Sequence, residues 1–367
     1  MRNPWRNTGR LVLAAAVAGS VLVAVPQAGQ AATPPKLKVM TQNLYLGSSL
    51  DPAIEATGGA EFLAAVATIY STAIKTDFPA RAKAIAASIK AQRPALVGLQ
   101  EVSKWTFART NEGPALPSYD FLTILLGELK AQGLNYKVGG SVNNALISAP
   151  LVSPVAEQAC PPPPEGSLVF SCSVTLQDRD VILYNASAET LRVSGKRTGR
   201  YRAQASLPTP LGAVSFDRGW VSVEVRYQGK RFRFVNTHLE VEGFAKIQEA
   251  QAAEFLAGPA KSRGTVVATG DFNSASDGST SRSYRILTRK YFSDAWVVKR
   301  DGKGLTCCQN SDLSNTSSQY KTRIDLVLTH GNAVSTKAVR VNDRTFQSTV
   351  PLWPSDHAGV VATVKLT

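Results

Sequence analysis

Apolar positions fall in two rhythms along this chain. Residues 37–42, 95–100, 181–184, 219–227, 231–237, 265–269, 324–329 and 359–365 are continuous or alternating apolar runs, which predicts strands. Residues 62–75, 80–92, 119–132 and 244–256 repeat apolar side chains every three or four positions, which predicts helices. Pro79 stands near one helix start, while Pro94, Gly133 and Gly258-Pro259 stand where helices should stop. Gln228-Gly229-Lys230 joins two strand runs as a hairpin. Strands and helices alternate through most of the chain, so the expected architecture is layered α/β.

The first 32 residues break that rhythm. Arg2, Arg6 and Arg10 precede an apolar stretch at 11–25, and small residues follow around Ala31 and Ala32. This is the pattern of a cleaved secretory signal. The stretch is short for a membrane span, Pro26 follows it directly, and no later run is long and apolar enough to cross a bilayer. The mature chain is therefore expected to be extracellular. No linker or internal repeat divides it, so 33–367 is read as a single domain; a monomer is expected, though nothing in the sequence fixes the oligomeric state. Hydrophobic residues make up 44% and charged residues 19%, which excludes a disordered polyampholyte.

Charge narrows the partners. The formal net charge is +14, and the leader carries three arginines and no acid, leaving 14 − 3 = +11 for the mature chain. A basic surface favours polyanions, whether nucleic acid, anionic lipid or wall polymer, without choosing among them. Cys160, Cys172, Cys307 and Cys308 are disulfide candidates in an exported chain. Cys160 and Cys172 flank a Pro-rich stretch, and a local bond across it is expected. No histidine or further cysteine lies near enough in sequence to make a zinc site.

Chemistry concentrates where apolar runs end. Polar residues terminate or follow such runs at Asn43, at Gln100-Glu101, at His238-Leu239-Glu240, at Asp271-Phe272-Asn273, at Asp325, and at Asp356-His357. α/β folds place reactive groups at strand ends, where a rigid scaffold presents mobile loops. Asp271 and Asn273 are two apart, so an extended segment would aim both at one volume and turn Phe272 to the core. An Asx turn is the alternative there. Only three histidines exist, and His238 and His357 fall in these motifs; His330 is read as structural or exposed.

The six motifs, in this order, resemble the endonuclease/exonuclease/phosphatase superfamily, and the resemblance spans about Leu37 to Lys365. It implies a deoxyribonuclease-like fold: a four-layer α/β sandwich of two packed mixed β-sheets flanked by helices. It also implies a Mg²⁺-dependent phosphodiesterase using in-line water attack, with Mn²⁺ or Ca²⁺ as alternative ions. Asn43, Glu101 and Asp356 would supply the hard oxygen ligands that Mg²⁺ prefers. Asp271 would orient or deprotonate the water, and Asn273 and His238 would donate to phosphoryl oxygens. His357 would move a proton or contact the phosphate, with Asp325 fixing its tautomer. Many family nucleases support the first histidine from a central strand; Asp180 or Tyr184 would do so here, and Lys246 matches a basic residue after that histidine.

Nucleic acid is the favoured substrate, on the strength of the charge and of Arg192, Lys196, Arg197, Arg200 and Arg202. A sphingomyelinase-like phospholipid substrate is the alternative, resting on export and on the apolar residues at 145–155 and at Val169-Phe170, which suggest peripheral membrane contact. A catalytically inactive binding module of the same fold is the third reading. The complete residue set speaks against it.

Overall fold

The computed structural model describes residues 33–110, 112–113, 115–152, 160–210, 212–296 and 302–367. The expected leader, and residues 153–155 of the apolar stretch, lie outside the described residues. The elements in order are β1 (Lys36–Asn43), α1 (Asp51–Ile54), α2 (Gly59–Lys75), α3 (Phe78–Gln92), β2 (Leu96–Gln100), β3 (Lys104–Arg109), β4 (Tyr119–Asp120) and α4 (Phe121–Ala131). Next come β5 (Tyr136–Pro150), β6 (Cys172–Asn185), β7 (Leu191–Arg200), β8 (Ala205–Thr209), β9 (Gly212–Phe216), β10 (Gly219–Tyr227) and β11 (Lys230–His238). The chain closes with α5 (Ala245–Ala257), β12 (Val266–Asp271), α6 (Ser283–Thr288), β13 (Ser293–Asp294), β14 (Asp325–His330), β15 (Ala333–Val341) and β16 (Gly359–Leu366).

Two mixed sheets form the middle. One runs β15-β16-β1-β2-β6-β3-β4, with β5 also paired to β6, and only β1 and β2 are parallel in it. The other runs β13-β14-β12-β11-β10-β7, with only β11 and β12 parallel. Val39, Leu96 and Ile182 of the first sheet meet Val221, Phe234, Val267 and Val327 of the second in one apolar layer. α2, α3 and α4 cover the outer face of the first sheet through Phe62, Ile69, Phe78, Ile85 and Leu125. α5 and α6 cover the other through Ala252, Phe255 and Leu287. Each Val, Leu, Ile or Phe among these, fully buried, contributes roughly 1.5–3 kcal/mol. This is the four-layer sandwich, and residues 34–367 form one compact unit.

All the predicted runs fold as the expected element type, with shifted ends. Tyr119 and Asp120 pair as a short strand, and Asp120 caps the helix that follows by accepting from the Leu122 and Thr123 amides. β6 is far longer than the predicted 181–184, since its first half alternates buried and half-buried positions from Cys172 to Arg179. β5, β7 and β15 carry too many polar or small residues for an apolar-run reading and form by pairing with neighbours. Cys160 bonds Cys172 as expected, with Cα atoms 5.5 Å apart, and Cys307 bonds its neighbour Cys308.

A buried polar seam joins the two sheets near one rim. Gln100 Nε2 donates to Asn236 Oδ1 at 2.6 Å, and Asn236 Nδ2 donates to the Leu99 carbonyl at 2.8 Å. Gly98 permits this approach, because a Cβ there would lie 2.2 Å from Thr269 Oγ1 and 2.3 Å from Asn236 Oδ1. Gln100 immediately precedes Glu101, and Asn236 lies two residues before His238. Through these bonds the seam fixes the ends of β2 and β11 against each other.

Candidate active site

Strand direction brings the motifs together. β1, β2, β11 and β12 all end at one rim, and β14 and β16, antiparallel to their neighbours, begin there. Registration finishes the job: His238 lies beside Asp271, and Asp271 beside Asp325, on adjacent strands. Asp356 and His357 sit just before β16. Gly270 is required at this junction, since a Cβ would come 2.4 Å from the Thr237 carbonyl oxygen.

The eight primary site candidates converge on a cleft of about 420 Å³, which Glu101, His238, Asp271, Asn273, Asp356 and His357 line directly. Asp271 Oδ2 lies 3.5 Å from His238 Nε2 and 3.7 Å from His357 Nδ1. His357 Nδ1 makes its close contact, 2.8 Å, with Asp325 Oδ2. Asp271 Oδ1 accepts from the Asn273 amide at 2.9 Å, so β12 closes in an Asx turn rather than running on. Asn273 takes a left-handed φ of 49° in that turn, Phe272 is fully buried, and the Asn273 side-chain amide lies 3.0 Å from His238 Nε2.

The two histidines have opposite electrostatics. Burial, then Arg218, then His357 push the His238 pKa well below its usual value, leaving a neutral ring. Arg218 Nη1 faces His238 Nδ1 at 3.0 Å. Arginine only donates, so Nδ1 accepts from it, while the Asn273 amide nitrogen stands at Nε2 on the cleft side. Burial works against a charge on His357, but Asp325, then Asp356 and Asp271, outweigh it and raise its pKa well above the usual value. His357 is thus an imidazolium held by Asp325.

Carboxylates are crowded. Burial, then Asp325, raises Asp271 to about 6. Burial raises Asp356 to about 7 against the pull of His357, with Glu101 adding to the rise. Burial also raises Glu101. Excess buried negative charge on hard oxygen donors is the donor set a divalent cation fits. Glu101 and Asp356 would hold it. Among the described residues, Asp271, Asp325 and His357 also bring ligand atoms within 4.8 Å of one another.

Several expectations change. Asn43 Oδ1 accepts from the Tyr45 amide, and its Nδ2 donates to Glu101 at 2.9 Å and to Asp271 at 3.1 Å. In this arrangement Asn43 bridges two acids through its Nδ2, and its Oδ1 accepts one hydrogen bond and keeps a second lone pair. Tyr184 does not support His238: it pairs opposite Leu96, at the far end of β2 from the rim. Asp180 does lie near His238, with Asp178, within 4.8 Å. Burial, then Asp178, raises its pKa well above the carboxylate range. The group on His238 Nδ1 is instead Arg218, itself bound to Glu240 at 3.3 Å. Lys246 is exposed on α5, and His330 stacks on Tyr291 away from the cleft.

Arg218 and Arg81 carry no motif. Arg81 is wholly buried and donates to the carbonyls of Leu44 and Pro354, tying together the loops after Asn43 and before Asp356. In sequence it is only one cation within the predicted helix 80–92. Arg218 could have been found, because the predicted hairpin places the residue before β10 at the same rim as the end of β11.

A profile of the Endonuclease/Exonuclease/phosphatase family matches residues 40–357. No curated protein matches the sequence. Among solved structures, an endonuclease/exonuclease/phosphatase from Beutenbergia cavernae is 20% identical at a TM-score of 0.53, covering 90% of this chain and 72% of its own. The Bacteroides thetaiotaomicron mannosyl-6-phosphatase is 16% identical at 0.52, covering 89% and 99%. Truncated Caenorhabditis elegans TDP2 is 15% identical at 0.50, covering 90% and 97%. These likenesses speak for the fold.

Proposed function

Because this chain belongs to the endonuclease/exonuclease/phosphatase family, and so is a metal-dependent phosphoric ester hydrolase, we propose that it is an exported phosphodiesterase that cleaves by direct attack of water. The observation that carries the reading is the row His238–Asp271–Asp325 on adjacent strands, with His357 closing over Asp271 and Asp325.

In this reading Asp271 is ionised near neutral pH, with a pKa of about 6, and orients or deprotonates the attacking water. His238, neutral, donates through Nε2 to a phosphoryl oxygen, and Asn273 adds its amide at the same place. His357, charged and held by Asp325, presents Nε2–H to the leaving oxygen and returns it a proton. A divalent cation held by Glu101 and Asp356, Mg²⁺ in this reading with Mn²⁺ or Ca²⁺ as alternatives, would supply Lewis-acid polarisation of the phosphoryl group. No covalent intermediate is needed.

Export is supported by the leader pattern and by the Cys160–Cys172 bond, which suits an oxidising compartment. The test is hydrolysis of bis-p-nitrophenyl phosphate by the mature chain. Turnover should require a divalent cation, stop with EDTA and return with excess Mg²⁺. Absence of turnover on this ester and on every other phosphodiester tried, with Mg²⁺, Mn²⁺ and Ca²⁺, would overturn the reading. Secreted protein whose N-terminus begins near residue 33 would establish export.

A further inference from the structure

The cleft has an apolar arm. Leu50, Ile54, Ile147, Leu176 and Phe216 line both the catalytic cleft and an adjoining pocket of about 70 Å³. The pocket continues between α2, through Val66, and the paired strands β5 and β6, through Val174; the β8–β9 hairpin flanks it with Thr209, Val214 and Phe216. Among the described lining residues its only polar side-chain groups are already engaged. Trp105 Nε1 donates to the Leu46 carbonyl, and Thr209 Oγ1 donates to the Gly212 carbonyl. A nucleobase placed there would leave its ring nitrogens and exocyclic groups without side-chain partners, which buried polar groups do not tolerate.

Charge points the same way. Asp51, Glu101, Asp178, Asp217, Glu240, Asp271 and Asp356 line the cleft, and beside its two histidines Arg218 is the one arginine or lysine among the described lining residues. The exposed basic residues Arg192, Lys196, Arg197 and Arg200 lie on edge strand β7 and do not line it. A nucleic-acid strand needs a cationic track for its successive phosphates. A ligand with a single phosphodiester and a hydrocarbon arm meets no such mismatch. Leu168 and Val169, shortly before Val174 in sequence, are 88% and 79% exposed, an unusual cost for a chain that meets only water.

We propose that the substrate is an amphiphilic phosphodiester of the phospholipid class, whose proximal hydrocarbon occupies this pocket while its phosphate lies between His238 and His357. The proposal rests on the phosphodiesterase reading and adds the substrate's apolar half. Water attacks phosphorus, one P–O ester bond breaks, and the leaving oxygen takes a proton, giving a phosphomonoester and an alcohol.

The test uses p-nitrophenyl alkyl phosphates below their micelle concentrations, with methyl, butyl and octyl groups, in Mg²⁺. Each methylene buried should raise kcat/KM about fourfold until the pocket is full, so the butyl ester should exceed the methyl ester by at least roughly tenfold. Val174→Trp, which fills the pocket, should bring the octyl-to-methyl ratio near one and leave the methyl ester's rate unchanged. Val214→Trp, on the hairpin outside both sheets, should do the same if the first variant fails to fold. Phosphatidylcholine vesicles should be cleaved faster than single-stranded DNA, duplex DNA or RNA at equal phosphate. Equal rates across the alkyl series with EDTA-sensitive turnover would overturn the proposal and leave the phosphodiesterase reading standing. So would faster cleavage of a nucleic acid. No turnover of any ester would overturn both.

Discussion

His238 and His357 flank one carboxylate, Asp271, yet they occupy opposite electrical environments. His238 has an arginine on its inner nitrogen and is held neutral. His357 has Asp325 on its inner nitrogen, with Asp356 and Asp271 nearby, and is held charged. The same side chain becomes a neutral hydrogen-bond donor on one side of the cleft and a charged acid on the other. Identity sets only what an imidazole can do; the group behind the ring decides which proton state it presents.

The comparison can be broken at its shared centre first. Asp271→Ala removes the group both rings face, and kcat/KM on bis-p-nitrophenyl phosphate should fall by about a thousandfold, the scale of losing a positioned general base. Retention of full activity would mean that the row of aligned residues is not the reactive one. Asp325→Asn comes next, with a loss of about a hundredfold at neutral pH. Asp325 is the largest influence raising His357, so its removal lowers that pKa and the charged form is lost earlier as pH rises. The deficit should therefore be greater at pH 8.5 than at pH 6.

Arg218→Met should cost less, about tenfold, with the opposite pH signature. Arg218 helps keep His238 neutral, so without it the ring gains a proton at higher pH, and the deficit should grow toward pH 6. Parallel pH profiles for the two variants would erase the distinction between the histidines.

The smallest effect is on stability. Asp356, raised from 3.8 to about 7, binds a proton in the fold over a window where the unfolded chain has released it. Its contribution to stability is therefore lost as pH rises from about 4 to about 7. Asp356→Asn in metal-free protein should raise Tm by roughly 2 °C or more at pH 8 relative to wild type, and by less at pH 5. Added Mg²⁺ should raise the wild-type Tm more at pH 8 than at pH 5. A variant less stable than wild type at pH 8 without metal would contradict the crowding of acids.

Much of the site was legible because strand ends are legible. An apolar run of five or six residues that stops at Glu101, His238 or Asp271 announces both a buried strand and an exposed terminus. β6 was only half visible. Its alternation Cys172, Val174, Leu176 continues into Asp178 and Asp180 on the same buried face, and the two acids disguise a strand that a period-two count would have found. The hairpin at Gln228-Gly229 contained more than was taken from it, since its register sets Trp220 against Thr237 and thereby brings Arg218 to His238.

The amino-acid sequence by itself determined the α/β class, the candidate polar residues and their places at the ends of strands, because those depend on periodicity and on neighbours a few positions away. It did not determine that Arg218 rather than Tyr184 would face the Nδ1 of His238, that Asn43 would bridge Glu101 and Asp271, or that the β8–β9 hairpin would flank an apolar pocket beside the cleft. Those outcomes depend on which side chains meet across sheet packing and long loop closures. Partners such as Asn43 and Asp271 lie 228 positions apart in the chain, and only the assembled sheets bring them within 3.1 Å.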